Sequence, residues 1–131
     1  MTTTAAEMVG EANAQIERVS PKEASDEVAA GKAVMLDVRE PVEWEQHIKG
    51  AVQVPRGLLE FVADPASPKH NPELDPAGRV IVYCRSGARG SLAALTLKTI
   101  GYENVANLDG GFTAWKEAGL PIVSAGEKIP Q

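Results

Sequence analysis

Cys84 is the only cysteine among the 131 residues, and its neighbours are those of a reacting group. It follows the apolar run Val80-Ile81-Val82-Tyr83 and precedes Arg85-Ser86-Gly87-Ala88-Arg89-Gly90. Leu92, Leu95 and Ile100 then recur at helical spacing, and Gly101 supplies a stop. Strand, tight loop, helix: that order puts a thiol at a helix N-terminus. The first N–H groups of a helix have no internal partner and carry partial positive charge. A loop wrapped above them aims further N–H groups inward, a nest for an anion. The thiolate is the nucleophilic form, and a helix N-terminus with arginine nearby lowers a thiol's pKa. The sequence therefore predicts a reactive, partly exposed thiolate in an anion cradle. A cysteine serving only as apolar filler needs neither the two arginines nor the two glycines.

Composition narrows the setting of that chemistry. The net charge of −5 and pI near 5.0 argue against a nucleic-acid or anionic-membrane partner, because both reward a basic surface. One cysteine rules out an internal disulfide and a cysteine-rich zinc site. His47 and His70 lie far apart and suggest no metal cluster, so neither metal nor cofactor is expected. The N-terminus has no basic start or long apolar core, and no apolar run is long enough to span a bilayer. The expectation is a cytoplasmic protein.

The elements that must position the thiol follow in chain order. Thr4-Ala5-Ala6-Glu7 reads as a capping box opening a helix from about Ala5 to Glu17, with Met8, Ala12, Ile16 and Val19 on one face. Ser20-Pro21-Lys22-Glu23 opens a second helix, ended by Gly31. Ala33–Val38 reads as a buried parallel strand that carries Asp37 to its end. A helix is expected from Pro41 to Lys49, then a short strand, Ala51–Val54, stopped by Pro55. Leu58, Leu59, Phe61 and Val62 suggest a brief helix. Residues 63–78, with four prolines and His70, read as a surface connection. After the central unit come a strand at Val105–Leu108, a glycine turn at Asp109-Gly110-Gly111, a helix from Phe112 to Ala118, and Pro121–Val123 as a last or covering strand. Strands alternating with short helices give an α/β fold: an open, mostly parallel central sheet of about five strands with helices on both faces. Ligands in such sheets bind beyond the carboxyl ends of the strands, where Asp37 and Cys84 would both lie.

Four stretches, in order, resemble the rhodanese (thiosulfate sulfurtransferase) domains. They are Leu36-Asp37-Val38-Arg39-Glu40 with Glu43-Trp44, His47-Ile48-Lys49-Gly50-Ala51-Val52, Tyr83-Cys84-Arg85-Ser86-Gly87-Ala88-Arg89, and Leu108-Asp109-Gly110-Gly111-Phe112 with Trp115, Gly119 and Pro121. The resemblance implies a rhodanese-like domain over 19–123, flanked by a helical extension at 1–18 and a tail at 124–131. It also implies that Cys84 takes a sulfane sulfur from a donor such as thiosulfate, becomes a persulfide, and passes the sulfur to a thiol or cyanide. Arg85, Ser86, Gly87, Ala88, Arg89 and Gly90 would form the substrate loop, with Asp37, Arg39 and Glu43 as polar supports. The chain departs from the family at Gln46, where glycine is common, and at Gly90, where serine or alanine is common.

Attack of a thiolate on sulfur, with sulfite leaving, needs no general acid, so the lack of a histidine beside Cys84 fits. The donor is a dianion, and loop N–H groups with Arg85 or Arg89 would hold its sulfonate. Arg89 is expected to face inward, although one of the two arginines could instead pair with Asp37 or Glu43. The implied partners are a small sulfur-donor anion and a thiol acceptor, small molecule or protein. Two alternatives stand beside this reading. A cysteine-dependent phosphatase or arsenate reductase uses a similar loop, but typically with five residues between cysteine and arginine, where this chain has four. A non-catalytic binding or redox-sensing module would keep the fold without the transfer.

Overall fold

The computed structural model describes residues 2–125. Five parallel strands form the central sheet: β1 (Glu17–Val19), β2 (Val34–Asp37), β4 (Val52–Gln53), β5 (Val80–Tyr83) and β6 (Val105–Leu108), in the order β1-β6-β5-β2-β4. A separate antiparallel pair joins β3 (Gln46–Ile48) to β7 (Ile122–Ser124). The helices are α1 (Ala5–Gln15), α2 (Pro21–Ala29), α3 (Leu59–Ala63), α4 (Ala88–Ile100) and α5 (Gly111–Glu117). Single 3₁₀ turns at Pro41–Glu43 and Arg56–Leu58 complete the order.

Residue types explain why the sheet is covered on both sides. Alternate residues of a strand face opposite ways. Leu36, Val38, Val80, Val82 and Val105 bury against Ala93, Ala94 and Leu97 of α4 and Leu59 and Ala63 of α3. Met35, Ile81, Tyr83, Ala106 and Leu108 bury against Ala24 of α2 and Phe112 and Trp115 of α5. Both capping boxes expected from the sequence are present, at Thr4/Glu7 and Ser20/Glu23. α1 packs on α4.

Two elements differ from expectation, and a third settles an alternative left open. The first helix stops at Gln15, and Ile16 is already extended. Glu17–Val19 is then a strand paired with Ala106–Leu108, straddling the boundary expected at residue 18. Its charges are anchored by distant residues: Arg18 Nε donates to Asp109 Oδ1 at 2.8 Å, and Arg79 pairs with Glu17. The helix expected over Pro41–Lys49 is one 3₁₀ turn followed by β3, because Arg39 Nη2 donates to the Gln46 carbonyl and draws that segment across the end of β2. Of the two readings of the strand near Pro121, the covering one holds: Ile122–Ser124 joins β3 and not the central sheet. The tail expected from 124 starts later than that, because Ser124 is the last residue of β7 and pairs with Gln46; residues 126–131 lie outside the described residues.

The connection over residues 63–78 is irregular, as its prolines require, and is pinned from beneath. Tyr102 Oη lies 2.8 Å from the Ala63 carbonyl and 3.2 Å from the Leu74 carbonyl. Burial pushes its phenol up to about 12, so it remains a donor throughout the neutral range. His70 Nε2 donates to the Leu74 carbonyl at 2.9 Å, a structural bond. Tyr102→Phe should therefore destabilise the protein by about 1–2 kcal/mol, the result of stranding the Ala63 carbonyl, since the Leu74 carbonyl keeps His70. Urea unfolding would show this as a lower midpoint with an unchanged slope.

Candidate active site

β5 and β2 are adjacent, with Asp37 opposite Tyr83, so Cys84 leaves the middle of the sheet beside the end of β2. The chain then turns sharply. Gly87 has φ +127°, a conformation that suits glycine, and α4 starts at Ala88. Two main-chain donors converge on the sulfur: Gly87 N at 3.1 Å and Gly90 N at 3.3 Å from Cys84 Sγ. N–H groups directed at one sulfur favour negative charge there.

The loop is held from outside by α5. Phe112 N donates to the Cys84 carbonyl at 2.8 Å, and Thr113 N donates to the Arg85 carbonyl at 3.1 Å. This approach is possible because Gly111 has no side chain. A Cβ there would lie 2.6 Å from the Cys84 oxygen and 2.7 Å from the Arg85 carbonyl, and its φ of +60° also favours glycine. The glycine turn legible in the sequence thus sets α5 against the cysteine loop.

The polar supports form two units. Asp37 is fully buried and accepts from Arg39 N, Arg39 Nε and Arg39 Nη2 and from Tyr83 Oη, the last at 2.9 Å. The Tyr83 oxygen in turn accepts from Ile48 N at 3.1 Å. Burial, and then the nearby Asp37 charge, push the Tyr83 phenol far up, so it stays a donor. The Arg39 guanidinium lies 4.5 Å from the Phe112 ring centre, a cation–π contact. In the second unit, Arg89 grips Glu43 with both terminal nitrogens, Nη1 to Oε1 at 2.6 Å and Nη2 to Oε2 at 2.9 Å. That bidentate hydrogen bonding holds the Glu43 carboxyl down at about 2.

Two expectations need correcting. Arg89, expected to face inward, is committed to Glu43, while Arg85 borders a cleft of about 650 Å³ with Arg39, Phe112 and Lys116. Cys84, expected to be partly exposed, is only 1% exposed, because its loop wraps over it and α5 packs on its carbonyl. Ser86 and Ala88 are exposed and face a smaller cleft on the α1 side; Gly90 is buried. His47 Nδ1 donates to the Trp44 carbonyl at 3.1 Å, away from chemistry. The reading from sequence missed Asn107, Phe112 and Lys116. For Phe112, its position directly after the glycine pair was the available signal.

Residues 20–118 match the family described as Rhodanese-like domain, and the chain belongs to that family. It is 39% identical over 92 residues to a sulfurtransferase of Allochromatium vinosum, covering 70% of this chain and 78% of that protein. It is 31% identical over 105 residues to the probable adenylyltransferase/sulfurtransferase MoeZ of Mycobacterium tuberculosis. That match covers 79% of this chain but 25% of MoeZ, so the chain spans about a quarter of that relative's length. A solved structure from Rhodopseudomonas palustris, of unknown function and described as a possible tyrosine phosphatase, superposes with TM-score 0.86 at 36% identity, covering 94% of this chain and 96% of that one. The human single-domain sulfurtransferase TSTD1 superposes with TM-score 0.69 at 25% identity, covering 76% of this chain and 95% of that one. Among the described residues, no helix is long and apolar enough to cross a membrane.

The two polar units make different predictions. Asp37→Asn leaves the Arg39 charge buried without a counter-charge and should cost about 3–5 kcal/mol in equilibrium unfolding. Glu43 has a folded pKa of about 2 against an ordinary 4.5, so its stabilisation is fully present above pH 4.5 and is lost as pH falls through about 2. Glu43→Gln should flatten the fall of the melting temperature between those limits. A fall as steep as in the unaltered protein would show that Glu43 is not its source.

Proposed function

We propose that this protein is a sulfurtransferase that carries a sulfane sulfur on Cys84. The observation that carries the reading is the convergence of Gly87 N and Gly90 N on Cys84 Sγ. Its membership of the rhodanese-like family, with sulfurtransferases among its relatives, supports the same class of reaction. In the first step the Cys84 thiolate attacks the outer sulfur of a donor such as thiosulfate. The new bond joins Cys84 Sγ to that sulfur, the donor's S–S bond breaks, and sulfite leaves with the electron pair. In the second step an acceptor thiolate or cyanide attacks the outer persulfide sulfur, and Cys84 leaves as thiolate. Both leaving groups are anions, so neither step asks for a general acid.

The remaining roles follow from position. Arg85, exposed at the cleft, takes the donor's sulfonate. Arg89, with Glu43, braces the start of α4, and Asp37 with Arg39 braces the end of β2. The loop residues Ser86, Gly87, Ala88 and Gly90 present main-chain donors rather than reacting side chains.

Intact-mass measurement after thiosulfate treatment should show a gain of one sulfur atom, abolished in Cys84→Ser. Thiocyanate formation from cyanide should fall by about 10³-fold or more in that variant. Because the Rhodopseudomonas relative is described as a possible tyrosine phosphatase, p-nitrophenyl phosphate is the informative control. Phosphate release dependent on Cys84, without sulfur loading, would replace the proposed reaction with phosphoryl transfer.

A further inference from the structure

Asn107, on β6, is 3% exposed and points to the same side of the sheet as α4. Both hydrogens of its amide nitrogen are used at the cysteine loop. Nδ2 donates to the Gly87 carbonyl at 3.0 Å and to Ser91 Oγ at 3.0 Å. Ser91 Oγ in turn lies 2.5 Å from Asn13 Oδ1 of α1 and 3.1 Å from the Gly87 carbonyl; it has one proton for two acceptors, and the shorter contact is the one to Asn13. Asn107 Oδ1, by contrast, is buried with no hydrogen-bond partner. It rests against Gly90, where an added Cβ would fall inside contact distance of Oδ1 and 3.2 Å from Cγ. Rotating the amide by half a turn would set its oxygen against the Gly87 carbonyl, acceptor against acceptor, so the orientation is fixed by the loop itself.

A stranded buried acceptor is unfavourable, and an apolar residue would avoid it. What Asn107 supplies in return is a grip on the two residues whose N–H groups meet Cys84 Sγ: it bonds Gly87 and fills the space a side chain at Gly90 would need. Gly90, the position at which this chain departs from the common serine or alanine of its family, and Asn107 thus fit as a pair.

We propose that Asn107 is a positioning residue that sets the Gly87 and Gly90 N–H donors on Cys84, and that Asn13 anchors it through Ser91. The anchor lies outside the residues that match the family, which start at 20. This rests on Cys84 being the reacting group, as proposed above.

The test uses the full chain and reads the loop in ways independent of sulfur transfer. Asn107→Asp keeps the shape and removes the donor; Asn107→Leu keeps bulk without either polar atom. In both, the amide proton resonances of Gly87 and Gly90 should shift, and alkylation of Cys84 by iodoacetamide should slow about tenfold, the loss expected for one well-placed bond. Asn13→Ala should shift the same two resonances in the same direction by a smaller amount. Gly90→Ala should slow alkylation about tenfold in the unaltered chain but less than twofold when made on Asn107→Ala, which deletes the atoms a Cβ would strike. If the Asn107 variants do not fold, Ser91→Ala carries the same resonance test. Unmoved resonances, or a Gly90→Ala effect equal in both backgrounds, would overturn the proposal. Failure of thiosulfate to load Cys84 in the unaltered protein would instead strike the proposed function while leaving these loop readouts intact.

Discussion

Two main-chain carbonyls decide the shape of the cysteine loop. The Cys84 and Arg85 oxygens are taken up by the N–H groups of Phe112 and Thr113, at the first turn of α5. With those acceptors turned toward α5, the later N–H groups of the loop are free to turn toward sulfur. The arrangement requires two pieces of backbone to meet without side chains between them, and Gly111 meets that need. A loop of alternating donors and acceptors presents one polarity to its centre only when the other is satisfied elsewhere. Here the other partner is a helix nearly thirty residues downstream in sequence.

The buried charges around this loop follow the same logic of complete satisfaction. Asp37 and Arg39 lie two residues apart, yet their pairing joins three segments, because Tyr83 of β5 donates to Asp37 and Arg39 donates to the carbonyl of Gln46 in β3. Taking a carboxylate and a guanidinium out of water is costly, and their mutual attraction offsets this only when the remaining hydrogen-bonding positions are filled. Tyr83, Ile48 and the Arg39 backbone N–H fill them. The Arg89–Glu43 pair, nearer solvent, is held by a two-point grip and by the Glu40 N–H, which donates to the same carboxylate.

Much of this was legible in the residues. Continuous apolar runs ending in Asp37 and in Cys84 gave away the two central strands, since only a sheet covered on both faces buries every residue of such a run. The Ser20-Pro21-Lys22-Glu23 and Thr4-to-Glu7 patterns marked helix starts because their capping chemistry is local. The misreadings fall where distant partners decide. Glu17-Arg18-Val19 has no alternation to announce a strand, and its place in the sheet depends on Asp109 and Arg79. Gln46-His47-Ile48 looked helical by spacing but becomes extended by pairing with Ile122–Ser124. At the site, Cys84 and its loop were visible, but the partner of Arg89 was not, since Glu43 and Asp37 were equally available on paper. Asn107 gave no signal: one asparagine in a short strand is unremarkable until the missing side chain at Gly90 is seen beside it.

The central sheet ends on β1 and β4, of three and two residues. One carries Glu17 and Arg18, already engaged by Arg79 and Asp109; the other is followed at once by Val54 and Pro55, which breaks the ladder. Neither margin offers a row of free amides long enough to template another strand. Among the described residues, the central sheet therefore gives neighbouring copies little edge to pair with. The two shortest strands of the central sheet are thus the ones placed at its margins, where brevity guards against unwanted pairing.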